Sequence, residues 1–447
     1  MRSYVNRREF MKGAALSAAA LATGGLAARA RAQEPTSPND KLNIAIIGIW
    51  GRGADNAEGV RGENLYALCD VDERNYERFL ERFPEAADAK RENDWRRLLD
   101  DDNIDAVVIS TADQVHALAS VAAMQRGKHV YCEKPLAHSV YEAHRVREVY
   151  AGCRGRVATQ MGTQIHATDN YRRVVELVQG GAIGPVREAH VWCSRTIPPL
   201  EPLEGTHEVP DYLEWDLWLG PAPDRPYNPG YLPGNLNWNR RWDFGNGVLG
   251  DMGSHLIDLP WWALNLTAPQ TVSAEGPVPD PVQNPEWMIV TWEHAPRAGN
   301  PALDVPLKLC WYHGGQEPQY RPQIETGVDL TQWFNGILFI GDDGMLLADY
   351  DRWMLLPEDQ FRDFQPPAPT IAPSPGHHAE WLAAAKAGGE SLCHFEYSGS
   401  LVEHNLLGNV AFRAGEKLTW DPKTLKATNC PAADQLIRRE YREGWRI

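Results

Sequence analysis

Short apolar runs and amphipathic stretches alternate along the first third of the chain. Leu42–Ile47, Asn64–Cys69, Asp105–Ser110 and His129–Cys132 have the length and composition of strands buried on both faces. Helix candidates lie between and beside them, the amphipathic Trp95–Leu99 and an Ala-rich stretch at 117–126. This alternation predicts a doubly wound parallel sheet over residues 41–160. Beyond it the pattern changes. Tyr171–Gln179 reads as a helix stopped by Gly180-Gly181, and Val186–Cys193 as a strand, with more strands at 286–293, 304–313 and 336–341. Pro-rich stretches at 196–235, 275–301 and 364–376 read as surface loops. Residues 161–447 are therefore expected to form an α+β domain with an open, mainly antiparallel sheet.

The first strand runs into Gly48-Ile49-Trp50-Gly51-Arg52-Gly53, and the second ends at Asp70, 17 positions beyond Gly53. A glycine turn after a strand, followed by an acid about 20 residues on, is the pattern that cradles a pyrophosphate and grips a ribose 2′-hydroxyl. Together with the alternation it predicts a Rossmann domain binding NAD, with NADP open because Arg74 follows Asp70 by four residues. Trp50 stands where the second glycine of the fingerprint belongs. Either the indole points outward and only backbone meets phosphate, or cofactor affinity is altered.

Two further stretches carry chemistry. Glu133-Lys134-Pro135 follows the fourth apolar run directly, at the strand end where an open α/β sheet binds ligands. Proline biases Lys134 toward extended backbone, from which an ammonium can donate a proton or orient a hydroxyl. Downstream, Asp251, His255 and Asp258 have spacings that share one helical face. A histidine flanked by carboxylates suits a general base, and a helix start with Asp251 as N-cap is the structural alternative. No second histidine or cysteine accompanies the cluster, so a metal is not expected. His377-His378 with Glu380 sits in an ordinary helical pattern, Ala379–Lys386. Among the dense aromatics of residues 215–242, Trp242, beside Arg240 and Arg241, is the candidate for lining a ligand site.

Net charge of −16 and a pI near 5.4 argue against nucleic acid and anionic membranes as partners. No apolar stretch of about 20 residues follows residue 32. Residues 1–32 read as a twin-arginine signal peptide: Asn6-Arg7-Arg8-Glu9-Phe10-Met11-Lys12, an apolar run from Gly13 to Ala28, and a cleavage site at Ala30-Arg31-Ala32. That implies the twin-arginine export machinery as a partner and a periplasmic or otherwise exported protein. Seven cysteines lack any Cys-x-x-Cys pair, and buried free thiols are expected.

The ordered set of Gly48–Gly53, Asp70, Ser110–His116, Glu133-Lys134-Pro135, Gln160–Gln164, Trp215–Pro221 and Asp251-x-x-x-His255 resembles the Gfo/Idh/MocA oxidoreductases. The resemblance implies that Lys134 and His255, assisted by Asp251, act on a substrate hydroxyl beside a nicotinamide. It places Gly48, Trp50, Gly51, Arg52, Gly53, Asp70, Thr111, Asp113, His116, Glu133, Lys134 and Gln164 with the cofactor. His166, Arg240 and Trp242 join Lys134, Asp251 and His255 around the substrate, a sugar, cyclitol or derivative. It also implies subunit contacts through the open sheet, hence a homo-oligomer. Trp50 departs from the pattern, as does Ala112 where members often have proline. A glycosidase branch oxidises its sugar transiently with NAD and carries Tyr-x-x-His, where this chain has Met252. The main expectation is an oxidoreductase that retains its cofactor. A redox-neutral glycosidase or lyase, and a non-catalytic sugar-binding protein, are the alternatives.

Overall fold

The first sheet has the strand order β3-β2-β1-β4-β5-β6 with every neighbouring pair parallel. Its strands are β1 (Asn43–Ile47), β2 (Asn64–Cys69), β3 (Lys90–Glu92), β4 (Ala106–Ile109), β5 (His129–Cys132) and β6 (Thr159–Met161). Ile44, Ile46, Val107 and Val130 are fully buried, which is why these strands read as continuous apolar runs. Strand order reverses between β1 and β4, opening a crevice at the carboxyl ends of both strands. Helices Arg52–Gly59, Asp113–Gln125 and Val140–Cys153 make crossovers, the last begun by a capping box of Ser139 and Glu142. This computed structural model describes residues 41–197, 200–232, 234–318 and 328–447, so the proposed signal segment lies outside the described residues. Asn43–Ile447 form one compact unit.

The second sheet runs, among the described residues, in the order β13 (Trp353–Leu356), β12 (Met345–Ala348), β11 (Asn335–Gly341), β7 (Val186–Cys193), β10 (Leu307–His313), β9 (Met288–His294), β8 (Thr271–Glu275), β14 (Leu418–Asp421) and β15 (Lys426–Ala427). Its fourth strand, β7, pairs in parallel with β10 and antiparallel with β11. The other pairs are antiparallel. Val191 and Phe339 join the main core, whereas Trp192, Tyr312, Leu338 and Leu347 form a separate apolar cluster on the opposite face.

One helix ties the two sheets together. Phe395–Ala414 packs along Val140–Cys153 and against β8 (Thr271–Glu275) and β9 (Met288–His294). Arg147 crosses to it, bonding Glu396 at 2.5 Å and Glu403 at 2.8 Å. The loop-like reading of 196–235 missed the helix Trp215–Leu219. All seven cysteines are buried and free. Among the described residues, no helix is long and apolar enough to cross a membrane.

Candidate functional site

The glycine loop has no room for side chains at two positions. A Cβ on Gly48, whose φ is 78°, would come within 2.6 Å of the Ser110 carbonyl. One on Gly53 would come within 1.7 Å of the Gly48 carbonyl. Trp50 departs from the fingerprint without blocking the loop, because its indole is 43% exposed at the rim, with the Arg78 guanidinium 5.8 Å from the ring centroid. The loop opens onto a cleft of about 560 Å³ lined by Gly48, Trp50, Gly51, Arg52, Asp70, Thr111 and, on the outer wall, Leu217, Trp218, Leu232 and Trp238. This size and this cradle fit a dinucleotide.

Asp70 lies at the end of β2 and is itself fixed. Its Oδ2 accepts from the Ile49 N–H at 3.0 Å, and its Oδ1 from Asp72 N–H at 2.9 Å and Asn75 Nδ2 at 3.1 Å. Burial pushes its carboxyl above the ordinary value despite those bonds. Arg74 is engaged elsewhere. It grips Asp72 through Nε and Nη2 at 2.9 and 2.6 Å and lies 3.6 Å over the Tyr212 ring.

Glu133 and Lys134 link this cleft to the second half of the chain. Glu133 accepts from Arg52 Nε at 2.8 Å and Asn56 Nδ2 at 3.0 Å. Burial alone would raise its carboxyl, but Arg52 and Lys134 outweigh burial and hold it below the ordinary range. Lys134 reaches across to the Asp251 carboxylate. Burial favours its neutral amine, yet Asp251 and Glu133 raise it above the ordinary lysine value, so it is an ammonium. Asp251 takes Lys134 on Oδ1 and Arg195 on Oδ2, which lowers its own carboxyl against burial.

His255 lies one turn further along the same helix, Gly247–Leu256. Thr163 Oγ1 donates to the Ser254 carbonyl at 2.8 Å and lies 3.3 Å from His255 Nδ1. With its only proton committed, Thr163 must accept from Nδ1–H, leaving the lone pair on Nε2. Burial, reinforced by Lys134, pushes the imidazole down to about 3. A neutral base thus sits beside a fixed cation.

Several expected placements differ. Asp251 is not the N-cap, which is Asn246, and its carboxylate holds Lys134 and Arg195, while the His255 ring donates from Nδ1 to Thr163 Oγ1. Asp258 does not share the His255 helix. It begins the helix Asp258–Ala263 and holds His166 Nδ1 at 2.9 Å and the Tyr397 hydroxyl at 2.7 Å. His166 is accordingly a buried ring stacked 3.9 Å on Trp262. His116, also buried, lies between the two loops, its Nδ1 2.7 Å from the Pro135 carbonyl and its Nε2 3.0 Å from the Thr111 carbonyl, and as a neutral ring it donates to one of them. Asp113 is buried at the start of its helix, and burial pushes its carboxyl well up although Lys134 opposes this. Gln164 begins a short 3₁₀ turn next to Thr163.

Arg240 and Trp242 do not join the Lys134 group. Arg240 lines a small pocket with Gly247, Gln283 and Glu286. Trp242 is buried, donates to the Asp280 carbonyl at 3.0 Å and faces Arg413 beside His138. His377 and His378 bond Met161 O and Asn56 Oδ1, and no metal-holding cluster occurs among the described residues. Sequence reasoning missed Arg195 and Thr163. The first follows a recognised strand and the second lies inside a quoted motif, but neither position carries a local signal of its partner.

Residues 42–161 match the Gfo/Idh/MocA family model described as an oxidoreductase family with an NAD-binding Rossmann fold. Residues 199–297 match the companion model for its C-terminal alpha/beta domain. An inositol 2-dehydrogenase of Salmonella typhimurium is 28% identical over 187 residues, 39% of this chain and 54% of that protein. An alpha-N-acetylgalactosaminidase of Shewanella oneidensis is 28% identical over 207 residues, 40% of this chain and 44% of that protein. The chain thus spans about half the length of the curated relatives it matches. A WlbA dehydrogenase of Bordetella pertussis, solved with NADH and UDP-GlcNAcA, has the same fold, with a TM-score of 0.58 at 14% identity, over 85% of this chain and 99% of that one.

Proposed function

We propose, for a chain that belongs to the Gfo/Idh/MocA oxidoreductase family, that it moves hydride between NAD and the C–OH of a sugar, cyclitol or derivative. The observation that carries this reading is the neutral His255 imidazole beside the fixed Lys134 ammonium, in a loop bonded to the glycine turn through Glu133 and Arg52. When bound, the nicotinamide takes or gives the hydride. Lys134 donates a hydrogen bond to the reacting oxygen and stabilises negative charge there. His255 Nε2 takes the hydroxyl proton. Asp251 positions Lys134 and keeps it charged.

NAD is preferred over NADP in this reading. Asp70 repels a 2′-phosphate, and the Arg74 fork that would answer one already holds Asp72. Asp70→Ser is expected to narrow the preference about tenfold in direct titrations of the two nucleotides. Equal affinities in the unsubstituted protein would remove the premise.

The glycosidase and binding-protein readings are not favoured. Met252 gives no phenol three residues before His255, and Lys134, Asp251 and His255 form an acid–base set that a binder does not need. We read residues 1–32 as an export signal, and with it a cofactor that stays on the enzyme. Support for the retained cofactor comes from the outer wall of the cleft, which is tied back to the segment that follows β2. Glu73 N–H donates to the Tyr212 carbonyl and Glu214 N–H to the Val71 carbonyl, both at 2.9 Å. Denaturing the purified protein should release about one nucleotide per chain, seen by chromatography of the supernatant. A preparation that is empty and binds neither added NAD nor NADP would refute the proposal.

A further inference from the structure

The Lys134 group carries more positive charge than it neutralises. Arg52 and Glu133 form one pair. Lys134 and Arg195 then share the single carboxylate of Asp251, one on each oxygen. His255 is neutral, and the buried Asp113 carboxyl, pushed well up, does not offset the excess. One cation therefore lacks an anion within the group. Side-chain exposure rises from 6% at Asp251 to 17% at Lys134 and 33% at Arg195, so Arg195 stands at the open side.

Its geometry suits a second carboxylate. Arg195 reaches Asp251 through Nη1, and among the described residues no acceptor meets its Nε–Nη2 edge. Two parallel N–H groups on a planar fork match the two oxygens of a carboxylate.

We propose that Arg195 binds a carboxylate of the substrate, so that the sugar acted on is a sugar acid such as a uronate. This rests on the oxidoreductase reading above. The test is calorimetric titration of the nucleotide-loaded protein with glucuronate, glucose and a sugar phosphate, alongside turnover followed by nicotinamide absorbance. Glucuronate should bind about 10–100-fold more tightly than glucose, the worth of a charge-assisted pair. Arg195→Gln should erase that difference by lowering glucuronate affinity about 10–100-fold more than glucose affinity. Arg195→Lys, which keeps a cation for Asp251, should recover part of it and guards against a folding defect. Glucose binding as tightly as glucuronate, no measurable binding of either, or tightest binding of the phosphate would overturn the proposal. So would an equal loss for both sugars in Arg195→Gln, which would show that Arg195 acts only through Asp251. Tight, Arg195-dependent glucuronate binding without any absorbance change would instead overturn the oxidoreductase reading and leave the carboxylate contact standing.

Discussion

Replacing His255 with asparagine is expected to lower turnover by about 10²–10⁴-fold, the usual contribution of a general base, while nucleotide stays bound. Asparagine keeps a polar group near Thr163 but has no lone pair of comparable basicity at the Nε2 position. The cradle of Gly48, Gly53 and Asp70 is untouched, so chromatography of the denatured variant should still find nucleotide. The pH profile gives a second check. A histidine whose folded value lies near 3 is an unprotonated base everywhere above that pH, and Lys134, raised above the ordinary lysine value, stays charged through neutrality. The free enzyme's rate should therefore show no acid limb near the ordinary imidazole value of about 6.5. Folded, nucleotide-loaded His255→Asn with undiminished turnover would reduce Asp251-x-x-x-His255 to a piece of helix. Asp251→Asn should also be damaging, because it leaves Lys134 and Arg195 facing each other without their shared anion.

The sequence is most legible where one local pattern has one structural solution. The first sheet is buried on both faces, so its strands announce themselves as unbroken apolar runs, and Gly48 and Gly53 occupy positions that no side chain fits. The Asp251–His255 spacing was readable because both residues lie on one helix. What stayed hidden depends on distant pairing. Arg195 meets Asp251 across 56 residues and Thr163 meets His255 across 92, and nothing near either residue encodes the encounter. Asp258 misled because helical periodicity continues past Ile257 while the chain begins a new helix there. Nearness in sequence points to Trp242, yet its indole turns to Asp280 and Arg413. The helix Phe395–Ala414 escaped because it is buried on nearly all sides, with Glu403, His404, Asn405 and Asn409 inside it, and so shows no polar face.

Acid is expected to unfold this protein well above the pH at which carboxylates titrate. Burial holds His255, His294 and His377 down to about 3 and His313 to about 4. In the unfolded chain each returns to about 6.5. Between those values the unfolded state binds protons that the native state refuses, so stability is complete above about 6.5 and falls as pH drops. Each such histidine contributes a slope of about 1.4 kcal/mol per pH unit, and the four together about 5.5 kcal/mol per pH unit. His116, His129, His138, His378, His394 and His404 are shifted in the same direction. The opposing groups are fewer. His144 and His190 are raised, as are the Asp70 and Asp113 carboxyls, and each favours the native state as pH falls. Against a total stability of about 5–15 kcal/mol, the histidines that dominate should bring unfolding near pH 5. Urea midpoints measured at intervals from neutral pH to pH 5 should fall steeply, and a midpoint constant over that range would show that these rings are not held neutral by burial.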